Sequence, residues 1–357
     1  MGLSTQGVRT SAVVIVSLAL LSVSCGAAQS LAAQFYTPSE SRGINNPSPP
    51  DDDMPPPSGH YTVISAGLMH TCALEIGGRP VCWGVDTLGV TEPAPGPFTA
   101  LSSGLFHTCA LDQQGEATCW GANNSGQSSP PAGSYVDISA GGAHTCALTT
   151  DGDARCWGSN EVGQARDMPG DFEVIAAGGA HSCAIEPQGD ATCWGSNDKG
   201  QSTPASGRYV DISAGSAHSC AISLEGNISC WGANDDQQSS APTGHFVDIS
   251  TGSAHSCAIQ RTGDIHCWGS NVHGRSSPPS GHYTAVSAGG AHGCAINHNG
   301  RFYCWDPDVH PWTEPPSTGR SATLRHPTQT IWNAALFKPS MSVSPGVSLH
   351  GQEDHRK

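Results

Sequence analysis

The sequence predicts an all-β chain folded as a seven-bladed β-propeller with one disulfide in each blade. Three observations carry that prediction. Cys72, Cys109, Cys146, Cys183, Cys220, Cys257 and Cys294 recur every 37 residues without a slip. Cys82, Cys119, Cys156, Cys193, Cys230, Cys267 and Cys304 repeat in the same register, each ten residues after its partner. A histidine stands two places before every first cysteine, from His70 to His292, and a tryptophan follows every second one, from Trp83 to Trp305. A unit of this length cannot bury its own faces, so neighbours must stack. Seven units fall within the usual range for a closed ring. An open β-solenoid is the structural alternative.

One repeat shows how the unit folds. Tyr135-Val-Asp-Ile-Ser-Ala-Gly141 reads as a strand ending in small residues, suited to a crowded central axis. Gly142-Ala143 turns the chain, and His144-Thr-Cys-Ala-Leu148 is a second strand. Thr150-Asp-Gly152 reads as a hairpin loop with glycine at the left-handed position, and Asp153-Ala-Arg-Cys-Trp157 returns as the third strand. That glycine recurs at 78, 115, 152, 189, 226, 263 and 300. Gly158-Ser-Asn-Glu-Val-Gly-Gln164 and the Pro-Gly segment after it form a connector, with room for a fourth edge strand.

In this register Cys146 faces Cys156 directly across the hairpin. Opposed Cβ atoms of an antiparallel pair lie about 4.5–5.5 Å apart, close enough for a bridge after slight adjustment. The predicted bridges are therefore 72–82, 109–119, 146–156, 183–193, 220–230, 257–267 and 294–304. The rival reading is zinc, because His144, Cys146 and Cys156 share one strand face. Export and the lack of purpose for seven equal metal sites favour disulfides, so no metal or cofactor is expected. The histidine is then structural, bonded to a neighbouring strand or blade. Trp157 points away from Cys156, beside Ala147, and reads as blade-to-blade packing.

The flanks set the compartment. Arg9 precedes an apolar run from Ser11 to Ser24, short for a membrane span but right for a signal-peptide core, so residues 1–25 read as a signal peptide. Cys25 is the odd cysteine, at the place where a bacterial lipoprotein carries its acyl chains. It is the candidate lipidation site, although Ser22 stands where such a signal usually has leucine. Residues 26–55 read as a Pro-rich linker, 56–319 as the propeller and 320–357 as a disordered tail. Closure has a sequence trace. Pro56-Pro-Ser-Gly-His-Tyr-Thr62 matches Pro278-Pro-Ser-Gly-His-Tyr-Thr284, so a connector precedes the first blade and completes the last. A formal net charge of −15 repels phosphate backbones, which excludes a nucleic-acid partner.

The pattern Ser-Ala-Gly-x-x-His-x-Cys-Ala-x5-Gly-x3-Cys-Trp-Gly-x-Asn-x-x-Gly-Gln resembles the repeat of the regulator of chromosome condensation family, in a short cysteine-containing form. Individual copies depart from it: Asp86 and Val90 replace the Asn and Gln in the first, Gln237 replaces the Gly in the fifth, and Arg275 the Gln in the sixth. The resemblance implies a seven-bladed propeller. It does not carry over the nuclear nucleotide-exchange role of the family's founding member, which export and acidity oppose.

Function is less legible. All intervals between first cysteines are equal, so no blade carries the inserted loop on which catalytic sites usually sit. No phosphate loop, nucleophile elbow or zinc-helix motif appears, and the chain is read as a binder rather than an enzyme. Asp137, Asp211 and Asp248 share one repeat position and read as solvated edge charges; Asp51-Asp-Asp53 lacks calcium-loop spacing. The expected partner is a protein, met by loops at one end of a monomeric ring that is secreted or lipid-anchored at the cell surface. A lectin with equal sugar sites is the alternative, ahead of a secreted enzyme inhibitor or an enzyme. At the first turn five blades carry Gly-Ala or Ser-Ala, whereas the first two carry Leu68-Met69 and Leu105-Phe106. These four are the candidate partner-binding residues, with plugging of the ring's mouth as their competing role.

Overall fold

In the computed structural model, the described residues are 59–305. The signal peptide, Cys25, the linker and the tail of the sequence reading lie outside them. Seven antiparallel three-stranded sheets follow one another: Tyr61–Gly84, Ala100–Gly121, Tyr135–Gly158, Val174–Gly195, Tyr209–Gly232, Phe246–Gly269 and Tyr283–Trp305. In the third blade the inner strand is Tyr135–Ala140, the middle strand His144–Thr149 and the outer strand Ala154–Gly158. The fourth edge strand for which the connector leaves room is not formed among the described residues. Its nearest approach is a single bridge between Ala154 and Met168, because the connectors are held by their own side chains instead.

The hairpins have the predicted register. Cys146 pairs with Cys156 and Ala147 with Arg155, while Thr149 takes the carbonyl of Asp153. Gly152 sits at φ +86°, a conformation that only glycine adopts without cost. All seven predicted disulfides are present, with Cα atoms 4.0–4.1 Å apart. The sulfurs are bonded to one another, so the zinc reading falls.

Each seam between blades is a small apolar core. Ala100, Cys109 and Leu111 of the second blade pack against Tyr135, Ile138, Ala147 and Trp157 of the third. The last seam has the same form, with Cys294, Ile296 and Phe302 against Tyr61, Ile64, Ala73 and Trp83, so the ring is closed. At this seam the start of the first blade meets the last blade's hairpin. Tyr61 N–H donates to the Gly300 carbonyl at 2.8 Å, the contact that Tyr135 makes with Gly115 elsewhere.

A directional polar relay crosses the seams. The Nε2 of His144 lies 2.9 Å from the Ser182 hydroxyl of the next blade. Ser182 donates its only proton to the Gln164 carbonyl at 2.9 Å. It must therefore accept from His144, which fixes that imidazole as the neutral Nε2–H form. The same Gln164 carbonyl takes the Trp194 indole N–H at 3.1 Å. One connector carbonyl thus ties the following blade's hydroxyl and indole together. Histidines 70, 107, 181, 218 and 292 repeat the contact with Thr108, Thr145, Ser219, Ser256 and Thr71. His255 lacks it among the described residues, because Gly293 stands where the hydroxyl residue should be.

The Ser182→Ala variant leaves the fully buried His144 Nε2–H without an acceptor. Chemical denaturation should show a loss of about 1–3 kcal/mol with an unchanged m-value. An unchanged midpoint would remove the relay from the list of stabilising contacts.

Candidate functional site

The inner strands encircle a central cavity of about 530 Å³ lined mainly by serine, alanine, glycine and β-branched residues. Glycine is required here by close approach. A Cβ on Gly141 would collide with the carbonyl of Gly178 on the next blade. Around the wall, serine hydroxyls accept from the next blade's backbone: Ser102 from Ala140 N–H, Ser139 from Ala177, Ser250 from Ala288 and Ser287 from Ala66, all at 2.9 Å. Ala176 interrupts the series in the fourth blade.

Asp211 and Asp248 line this cavity and Asp137 holds the same strand position in the third blade; burial of all three carboxyls corrects their reading as solvated edge charges. A bulge between Tyr135 and Asp137, repeated at Asp211 and Asp248, shifts the inner strand by one residue. It exposes Val136 and Val247 and turns the carboxyls inward. Asp137 accepts from its neighbour Ile138 N–H at 2.8 Å, and Asp248 from Val286 N–H of the seventh blade at 2.9 Å. Burial raises Asp137 to about 7 and Asp248 to about 6. Asp211 rises to about 8 through burial and the nearby Asp248 carboxyl.

The second feature is the face that carries the first turns and the connectors. The four candidate residues differ in exposure and surroundings. Leu68 leans across the closing seam, its Cδ1 filling the space where a Cβ on Gly290 would lie, and Leu105 lines the cavity. Both thus serve the mouth of the ring. Phe106 is half-buried, and Met69 is 43% exposed. Met69 has apolar company that the sequence reading missed. Its carbonyl takes the Val85 N–H at 2.9 Å, and Val85 and Leu88 are 53% and 59% exposed on the same connector. Leu88 has φ +64°, an uncommon conformation for leucine. The connector then reaches the second blade, where the Val90 carbonyl accepts from Trp120 Nε1 at 3.0 Å. The departures at Asp86 and Val90 were the signal that marked this loop.

The architecture and the site define a closed seven-bladed β-propeller with a disulfide in every blade and a modified first connector. It is built from repeats of the regulator of chromosome condensation (RCC1) type, whose family model matches residues 98–127, 135–164, 174–201, 209–238 and 246–275. No curated protein sequence matches the chain. Among solved structures, the chain is similar to the CRINKLY WD40 ectodomain of the Arabidopsis thaliana receptor kinase ACR4. That likeness is at 24% identity and TM-score 0.59, over 70% of this chain and 96% of that one. The ectodomain of the Physcomitrella patens receptor kinase CR4 gives 24% and 0.61, over 70% and 74%. Prp20p of Saccharomyces cerevisiae, described with binding to Gsp1p and histones, gives 18% and 0.52, over 70% and 82%. These likenesses establish the fold.

The relay histidines set the pH response. Burial lowers His70, His107, His181 and His255 to about 3, and His144, His218 and His292 to about 4. Below pH 6.5 the unfolded chain takes up protons that the fold refuses, so stability is lost as pH falls toward those values. At one unit below 6.5 each histidine costs on the order of 1 kcal/mol, and the seven act in the same direction. The three aspartates act with opposite sign. Their folded values are raised, so stability is lost as pH rises from about 4 toward 6–8. Acid unfolding monitored by tryptophan fluorescence should have its midpoint near pH 5, and Asp211→Asn should stabilise at pH 8 more than at pH 4. A midpoint below pH 4 would contradict the depressed imidazoles.

Proposed function

We propose that this protein is an extracellular binding propeller that recognises a protein partner through the connector face at its first two blades. The observation that carries the reading is the exposure of three large apolar side chains, Met69 on the first turn and Val85 and Leu88 on the connector whose first N–H binds the Met69 carbonyl. They lie where the repeat itself is broken. In the third to seventh blades the corresponding turn positions carry glycine, serine and alanine, which offer little binding energy. Clustered large side chains supply most of the affinity of protein interfaces. Exposed Ile76 and Leu224, by contrast, stand alone on separate hairpins.

The seven disulfides suit an oxidising compartment, in keeping with export by the signal sequence. Acylation at Cys25 would tether the ring to a membrane through its Pro-rich linker. The ring acts by binding and not by catalysis in this reading, since unvarying blade length leaves no added loop to carry a reacting group.

An array of secreted and cell-surface proteins, probed with the full chain, tests the proposal. Partners of the wild-type ring should bind the Met69→Ala, Leu88→Ala variant at least tenfold more weakly, about 1.4 kcal/mol, with an unchanged melting temperature. Equal binding by the variant would refute the site. Several equal sugar sites on a glycan array would replace this reading with a lectin.

A further inference from the structure

The end of the ring opposite the connector face holds a recess of its own. Each inner strand begins beside the previous blade's hairpin, where Tyr209 N–H donates to the Gly189 carbonyl and Phe246 N–H to that of Gly226, both at 2.8 Å. At that end the central cavity reaches Val210 and Asp211 of the fifth blade, Val247 and Asp248 of the sixth, Thr284 of the seventh and Thr62 of the first. The second to fourth blades line it only further along their strands. The recess is therefore set to one side of the ring axis, with two carboxyls on neighbouring blades within it.

Asp211 differs from its two counterparts. Asp137 accepts a cross-blade N–H from Ile175 at 3.4 Å, and Asp248 accepts one from Val286 at 2.9 Å, each from 38 residues further along. The N–H in register for Asp211 is that of Ile249, and it is given to Asp248 instead. Asp211 keeps only the N–H of its own neighbour Ile212. Among the described residues, a buried carboxyl thus lines the recess with no partner from another blade, beside a second carboxyl whose charge opposes its own. Burying two like charges side by side costs stability, and such pairs gather at sites that use them.

The rest of the lining offers acceptors. Thr62 and Thr284 donate their hydroxyl protons to the Leu74 and Ile296 carbonyls of their own blades, at 3.4 and 3.2 Å, so their oxygens stay available. The inner strand is the first of three in each sheet, so its other edge turns alternate carbonyls toward the axis. Among the described residues, no lysine, arginine, histidine or side-chain amide lines the cavity. Glu173 holds the Val210 position on the fourth blade and adds negative charge to the same end. Val210 and the exposed Val247 supply an apolar rim directly ahead of the carboxyls. The complement is a cation with several N–H donors and a short aliphatic tail. A metal ion fits less well. Calcium takes about six to eight oxygens, and no group of three or more His, Cys, Asp or Glu gathers among the described residues.

We propose that this recess binds a small aliphatic amine in its protonated form. The ammonium group sits between Asp211 and Asp248, and the alkyl chain runs out over Val210 and Val247. The cation supplies the donor that Asp211 lacks and removes the repulsion between the two carboxyls. The cavity's volume of about 530 Å³ falls within the usual size of small-molecule sites. The site stands at the other end of the ring from Met69, Val85 and Leu88 and does not depend on the reading of that face.

Calorimetric titration of the full chain with n-butylamine is the test. Binding should be saturable at pH 8.5 and absent with 1-butanol. It should weaken at least tenfold at pH 6, where the carboxyls take up protons while the amine stays charged. Asp211→Asn and Asp248→Asn should each weaken it at least tenfold, with the melting temperature at pH 8.5 unchanged or raised, so that a lost site is not a lost fold. Asp137→Asn, outside the lining, should bind as the unmodified chain does. No saturable binding at pH 8.5, equal binding by Asp211→Asn, or a match by 1-butanol would overturn the site. Calcium chloride that displaces the amine at lower concentration would give the carboxyl pair to a metal ion and overturn the amine. A capped Gly-Lys-Gly peptide that binds more than tenfold tighter than n-butylamine would replace the free amine with a partner's lysine.

Discussion

The ring depends on one shared acceptor, the carbonyl at the end of each connector. It takes the indole N–H of the next blade and, in the third to sixth blades, that blade's buried hydroxyl as well. The hydroxyl is thereby left to accept from the previous blade's histidine. Three elements are fixed at one point in a dry seam, where an unpaired polar group would cost about 1–3 kcal/mol. Lengthening a connector by one residue would move its carbonyl off all of these donors. The invariant 37-residue spacing follows from that geometry, and so do the constancy of His and Trp from blade to blade and the Ser or Thr in six of the seven blades.

The relay also separates the electrostatics of surface and interior. The chain carries a formal charge of −15, yet the relay across its seams is built from neutral imidazoles, hydroxyls and carbonyls. Each histidine contributes shape and a donor without charge, because burial keeps it unprotonated. The inner wall follows another rule. Carboxyls at Asp137, Asp211 and Asp248 occupy the bulge position of three blades, and valine or alanine holds the same repeat position in the other four. There they accept backbone N–H groups within and between blades at the expense of a raised affinity for protons.

Breaks in the repeat carry more information about use than the repeat does. Some are absorbed locally. Gln237 takes the left-handed position of glycine at φ +65°, and at Gly293 the indole of Trp305 lies over the missing side chain. Others gather on the first blade and the connector that follows it: Leu68, Met69, Val85 and Leu88. A propeller hosts many functions, so the assignment of a binding face rests on these departures and not on the fold.

The spacing of the cysteines determined the blade count, the hairpin register and all seven bridges, because a strand's period of two leaves opposed residues no other choice once the turn is set. It also determined that Trp157 packs between blades. Tertiary structure decided what depends on curvature and on neighbours. The bulge at Tyr135–Asp137 turns aspartates inward that strict alternation would leave at an edge, and no pattern in one repeat announces that turn. Leu68 and Leu105 were separable from Met69 only once the ring had closed, since closure brings Gly290 beneath Leu68. The acceptor of each histidine was likewise hidden, because it stands 38 residues away on another blade and pairs through the seam.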